Sequence, residues 1–211
     1  MNTKQQLKAL AEARRGVLVP GAFNALSARV VADLGFEAIY VTGAGVTNMW
    51  FGLPDQAFMG LTDIADHTAR IRDAVDLPLI VDADTGFGNA LNTYHAVRTL
   101  ERAGADCIQI EDQISPKRCG HFNGKEVIST DEMLGKIVKL QLDRIKKRVE
   151  ARYKIPFEYG EDVVKLVVSR CTESESGGRM IDAILTNTML PDISREFLTR
   201  MMEGQPIEGV K

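Results

Sequence analysis

Two short apolar runs, Leu77-Pro78-Leu79-Ile80-Val81 and Asp106-Cys107-Ile108-Gln109-Ile110, each lead into acidic residues, Asp82-Ala83-Asp84-Thr85-Gly86 and Glu111-Asp112-Gln113. Runs this short and β-branched read as buried parallel strands. Carboxylates at the C-terminal ends of successive parallel strands converge on one face of a sheet or barrel, where α/β enzymes build their active sites. Three carboxylates in so small a volume repel one another unless they share a cation. Mg²⁺ suits them, because it prefers hard oxygen ligands, keeps several waters and binds through one or two carboxylates plus substrate oxygens. An Asp after a strand can also be a simple helix N-cap, so the reading rests on the pattern rather than on one residue.

The chain up to about residue 136 alternates short apolar runs with longer amphipathic ones, the signature of βα units. The pattern predicts helices over 4–15, 25–34 (closed by Gly35 at C′), 62–75 with Thr62 as cap, and one ending near Gly104. Strands are expected at 17–20, 38–41, 77–82 and 106–110. The second strand runs into Thr42-Gly43-Ala44-Gly45, a small-residue turn that lets a ligand approach the backbone. Long loops follow at 48–60 and 114–128, and Ser129 caps a new helix with Glu132 at the capping-box position.

From Gly135 the character changes. One long helix is expected, with Ile137, Leu140, Leu142, Ile145 and Val149 apolar and the basic run 144–148 outside. A β-like segment at 155–159, a helix over 161–170, a polar loop at 172–176 and a last helical stretch broken by Pro191 complete the pattern. No further βα alternation appears. At 211 residues the chain is also short for a complete eight-stranded α/β barrel, which needs about 250.

Composition narrows the function classes. A net charge of −3 gives no basic field for nucleic acid or an anionic membrane. No run approaches the roughly 20 apolar residues of a membrane span, and the polar start is unlike a signal peptide. Cys107, Cys119 and Cys171 have neither pairing nor metal-ligand spacing, so reduced thiols in a cytoplasmic protein are expected. Cys119-Gly120-His121 is no zinc motif. Cys107, within a strand, reads as an inert core residue, and His67 and His95 as packing or surface residues of helices.

The first part resembles the isocitrate lyase and phosphoenolpyruvate mutase superfamily. The resemblance lies in residues 20–25, Tyr40-Val41-Thr42-Gly43-Ala44-Gly45, Gly52-Leu53-Pro54-Asp55, 82–89, Ile110-Glu111-Asp112-Gln113 and Pro116-Lys117-Arg118-Cys119-Gly120-His121. The Lys-Arg-Cys-Gly-His form resembles the carbon–carbon lyase branch, such as methylisocitrate or dimethylmalate lyase. That resemblance implies Mg²⁺ held by Asp82 and Asp84, directly or through water, with Glu111 anchoring water on the metal. It implies a substrate carboxylate bound by Thr42, Gly43 and Ala44, with Tyr40 and Gly120 also at the substrate, and Asp55 on a loop that helps close the site. Cys119 would exchange a proton with an enolate, its thiolate favoured by Lys117, Arg118 and His121 alongside. The family also places substrate ligands, an arginine among them, on later strands, for which this sequence has no matching positions.

The second part resembles the C-terminal small subdomain of Clp-type AAA+ ATPases, nearest the type VI secretion branch. The matching stretches are 140–145, 169–179 and 184–191. Arg179 would then be the sensor-2 residue that touches nucleotide, although without an ATPase partner domain a solvated arginine at a helix start is the favoured reading. No Gly-x-x-x-x-Gly-Lys-Ser/Thr loop is present to cradle phosphates. The expectation is therefore an α/β fusion: a partial (β/α) barrel of about four parallel strands over 1–135, then a mostly helical lid-like domain over 136–211. It would bind Mg²⁺ and a small carboxylate, without nucleic acid or membrane. Two copies could close their half barrels into one homo-oligomeric barrel. The alternative is a non-catalytic assembly module, with 181, 184, 185, 190, 193 and 197 as an apolar stripe.

Overall fold

The computed structural model describes residues 1–171, 181 and 183–210, in two compact units, Met1–Ile128 and Ser129–Lys211. In the first, α1 (Thr3–Glu12) is capped by the Asn2 side chain, which accepts the Gln5 N–H. Then come β1 (Gly21–Ala22), α2 (Ala25–Asp33), β2 (Ile39–Val41) and α3 (Gly43–Val46), which continues into one π-helical turn over Thr47–Phe51. They are followed by α4 (Leu61–Ala74), β3 (Leu79–Asp82), α5 (Ala90–Arg102) and β4 (Cys107–Gln109). The four strands form one parallel sheet in sequence order, with Tyr40 beside Ile80 and Asp82 beside Gln109. Ile39, Val41, Leu79 and Val81 are buried with Ile64, Ile71 and Leu100 from the helices.

Three local expectations are corrected. The first strand lies at Gly21–Ala22 rather than 17–20. Pro20 can accept from the Tyr40 N–H, at 2.9 Å, but has no N–H to return. Helix α4 is entered through Gly60 rather than Thr62, because the Asp63 carboxylate reaches back to accept the Gly60 N–H at 2.8 Å. Cys107 is exposed instead of buried: β4 ends the strand order, and its apolar run has a neighbour on one side only.

The second unit starts with α6 (Thr130–Tyr153), capped by Ser129 Oγ accepting the Glu132 N–H at 3.2 Å. Gly135 therefore lies inside a continuous helix. Then come α7 (Glu161–Ser169), a π-helical turn over Leu185–Met189 and α8 (Leu190–Met202). Pro191 does not break this stretch. It sits in the first turn of α8, where a missing N–H is harmless. Leu134, Val138, Leu142, Ile145 and Val149 of α6 form a core with Phe157, Val164, Val167, Ile181, Leu185 and Phe197. Ile184, Leu190 and Ile193 pack against it, so the apolar stripe is core. Arg179, the 172–176 loop and Gly177-Gly178 lie outside the described residues. Among those described, no helix is long and apolar enough to cross a membrane.

Candidate active site

The site is assembled where β2, β3 and β4 end. After β2, Thr42 Oγ1 accepts the Gly45 N–H at 3.2 Å and fixes the small-residue turn. The Gly43 N–H donates to Asp82 Oδ2 at 3.3 Å. A Cβ on Gly43 would lie 2.9 Å from that same oxygen, so glycine is what lets the turn press against the carboxylate. Asp82 Oδ1 accepts the Asp84 N–H at 3.1 Å. The chain then turns sharply. Asp84 and Phe87 adopt left-handed backbone angles (φ 45° and 59°) beside Gly86 at 85°. Such conformations are costly for non-glycine residues and persist where the surroundings over-determine them. The Asp84 carbonyl accepts the Glu111 N–H at 2.7 Å, locking the end of β3 to the chain leaving β4.

Two loops complete the site. Lys117 Nζ lies 2.7 Å from Asp55 Oδ1 and 2.9 Å from Asp84 Oδ1, and all three side chains are at most 8% exposed. The Cys119 N–H donates to the Asp55 carbonyl at 3.1 Å. Gln113 organises the second loop: its Nε2 donates to Glu111 Oε2 (2.7 Å) and to the Arg118 carbonyl (3.0 Å), while its Oε1 accepts the Arg118 N–H (3.1 Å). Cys119 Sγ, half-buried, lies 3.2 Å from His121 Nδ1. The Gly120 carbonyl accepts from Lys125 Nζ at 2.8 Å.

The electrostatics follow from this burial. Desolvation pushes the Asp84 carboxyl up to about 6, outweighing the downward pull of Lys117. Burial alone would lower Lys117, but its hydrogen bonds to Asp55 and Asp84 hold it above its ordinary value. Tyr40 is raised by burial and then by the charge of Asp82, and its hydroxyl donates to Gln109 Oε1 at 2.9 Å.

Of the residues singled out in the sequence, Gly43, Asp55, Asp82, Asp84 and Lys117 come together, and Cys119 pairs with His121. Lys117, expected beside the thiolate, instead faces the two aspartates. The Gly43 N–H, expected for substrate, is engaged by Asp82, and the Ala44 carbonyl accepts from Asn48 Nδ2 at 2.7 Å. Gln113 and Gln109 are site residues that the acidic pattern alone does not single out. Gln113 directly follows Glu111-Asp112, and that adjacency is the signal the sequence offers for it. The oxygen donors Asp82, Asp84 and Glu111 suit a hard cation. Among the described residues, no three His, Cys, Asp or Glu side chains form a metal cage. A cation here would thus rely on one or two carboxylates and complete its shell from water and substrate, as Mg²⁺ does.

The family described as phosphoenolpyruvate phosphomutase matches residues 7–194. The chain belongs to that family. It is 44% identical over 137 residues to 2,3-dimethylmalate lyase of Eubacterium barkeri, covering 65% of this chain and 47% of that protein. It spans less than half the length of the curated lyases it matches first. Among solved structures, oxaloacetate acetylhydrolase in complex with 3,3-difluorooxalacetate superposes with a TM-score of 0.66 at 32% identity, over 85% of this chain and 61% of that one. The C-terminal part is similar to a different protein, the AAA+ ATPase ClpV1 of Pseudomonas aeruginosa: 72% identical over 82 residues, 39% of this chain and 9% of that protein. Both resemblances read from the sequence are present, in the pattern of a fusion.

Proposed function

We propose that the sheet-bearing unit is a Mg²⁺-dependent carbon–carbon lyase module for a small 2-hydroxy or 2-oxo dicarboxylate, working through an enolate with impaired turnover. The observation that carries this reading is the buried Asp82–Asp84 pair at the end of β3, held by the Gly43 and Asp84 N–H groups. Bound there, Mg²⁺ would stabilise the negative charge that builds on the substrate oxygens by several kcal/mol. Asp82 and Asp84 would hold the cation, with Glu111 beside them. Tyr40, Thr42, Gly43, Ala44 and Gly120 would orient the substrate carboxylate, and Asp55 would help enclose it. Cys119 Sγ, with His121 Nδ1 at 3.2 Å, would move the proton to or from the enolate carbon. The relatives named as lyases support the reaction class.

Impairment is supported by the topology. After Ile128 the described chain forms a helical unit rather than further strands, so the substrate ligands of later strands have no counterpart here. Losing such charge-assisted contacts costs several kcal/mol, or about a thousandfold in rate. Pairing of two copies would cover the open sheet edges. Free thiols and a net negative charge fit a reducing cytoplasm and a small-molecule partner. Titration calorimetry with Mg²⁺ and oxalate, an enolate mimic, should give heat that Asp84→Ala abolishes. Identical titrations would reject the site. In a coupled assay for released pyruvate or glyoxylate, turnover near wild-type lyase rates, lost on Cys119→Ser, would reject the impairment.

A second reading is favoured by the ClpV1 similarity: a non-catalytic assembly module in which the helical unit, resembling an AAA+ lid, mediates association. Arg179 as a nucleotide sensor belongs to this reading. Sedimentation that stays monodisperse and monomeric across concentrations would reject it.

A further inference from the structure

Lys117 is the feature of the site that the proposed chemistry leaves unused. Its ammonium lies 2.7 Å from Asp55 and 2.9 Å from Asp84, with 3% of the side chain exposed. The two carboxylates belong to separate loops, and the neighbouring Cys119 N–H ties the 114–128 loop to the 48–60 loop a second time through the Asp55 carbonyl. Asp84 is also one of the two carboxylates on which the proposed Mg²⁺ site depends. Two cations on one buried carboxylate repel strongly where solvent screening is weak.

We propose that Lys117 is a built-in competitor for the metal: its ammonium neutralises Asp84 and Asp55 while the cation is absent and must withdraw when a divalent cation binds, so that metal binding unties the 48–60 and 114–128 loops. The inference rests on the Mg²⁺ reading of Asp82 and Asp84. Coupling of this kind is reciprocal: whatever Lys117 adds to the metal-free state, it subtracts from metal affinity. The opposite role, a lysine that supports Asp84 for the metal, predicts the opposite sign.

The test uses Mg²⁺ alone, by calorimetry and by amide exchange, on the full chain and on Lys117→Met and Lys117→Gln. Glutamine keeps a hydrogen-bond donor between the carboxylates should the methionine variant fail to fold. Both variants should bind Mg²⁺ about tenfold more tightly than wild type, within the usual range for coupled sites. They should melt at lower temperature in chelator and recover more with Mg²⁺ than wild type does. In the unsubstituted chain, Mg²⁺ should speed exchange of the Cys119 amide; in the variants it should already be fast. Equal or weaker Mg²⁺ binding by both variants overturns the competitor role while leaving the metal site standing. Absence of Mg²⁺ binding in all three proteins overturns the site and the inference together.

Discussion

In the sheet-bearing unit the charged residues Asp55, Asp82, Asp84 and Lys117 are buried in loops or at a strand end; Lys117 pairs with Asp55 and Asp84, and Asp82 accepts the Asp84 N–H. In the helical unit the buried charged residues among those described, Lys136 and Asp143, sit on one helix, α6. Asp143 is satisfied by Tyr159, whose hydroxyl donates at 2.6 Å. Two of the left-handed residues in the sheet-bearing unit differ in the same way from Lys154 in the helical one. Asp84 and Phe87 bend the chain inside the carboxylate cluster, whereas Lys154 simply ends α6, its N–H donating to the Glu150 carbonyl at 3.0 Å. Buried charge held by loops from several elements can be redistributed by a ligand. Charge settled within a helix and its neighbour serves the fold alone.

The largest test compares the cores. Leu79 of β3 and Leu142 of α6 are both 0% exposed, so Leu79→Ala and Leu142→Ala should each cost about 2–5 kcal/mol in urea unfolding. Only Leu79→Ala, three residues before Asp82, should also lower the heat of Mg²⁺ binding. Equal loss from Leu142→Ala would break the contrast between the units.

A pH series comes next. Burial lifts Asp84 from an ordinary 3.8 to about 6, so its proton is bound more tightly in the folded state. Its contribution to stability is therefore fully present below the unfolded value and lost as pH rises through about 6, by about 3 kcal/mol at most. In chelator, Asp84→Asn should flatten the stability profile between pH 4 and pH 7. An unchanged slope would assign it to another group.

Two glycines offer a smaller and oppositely signed pair. A methyl on Gly43 meets Asp82 Oδ2 at 2.9 Å, whereas one on Gly135 meets nothing within 4 Å. Gly43→Ala should destabilise by about 1–3 kcal/mol through overpacking and weaken Mg²⁺ binding about tenfold, a difference of roughly 1.4 kcal/mol. Gly135→Ala, in mid-helix, should stabilise by about 0.5–1 kcal/mol. Effects of one sign at both positions, read by thermal melts, would remove the distinction.

What the residues revealed in advance was largely local. Apolar runs ending in acids marked two of the strands, β3 and β4, together with the carboxylate cluster, and the run into the small-residue turn marked β2, because strand period and strand-end chemistry are written in adjacent positions. Pro20, with no N–H to give the ladder, is the local reason β1 begins at Gly21 and not at 17. Lys117 was different. Its partner Asp55 is 62 residues away, and only the packing of two loops decides whether the ammonium meets a thiol or a carboxylate. In the helical unit the apolar face of α6 was legible, while the place of Pro191 depended on where the preceding π turn ended.

Cys107 carries the smallest expected effect and the most direct reading of topology. Its apolar run reads as core, yet β4 has a strand neighbour on one side only and the thiol is exposed. A substitution at an exposed position outside the core removes little packing, so Cys107→Ser should change stability by no more than about 0.5 kcal/mol. A loss as large as that of Leu79→Ala would mean that the thiol is core after all. The same thiol reports on the open edge. Unpaired strand N–H and C=O groups attract another strand, and in a barrel closed by two copies β4 of one copy would meet β1 of the other. Alkylation of Cys107 should then slow as protein concentration rises, while Cys119, on the loop after β4, keeps its rate. A Cys107 rate independent of concentration would leave the edge open and rule out closure by pairing. The sheet-bearing unit would then hold its carboxylates on four strands alone.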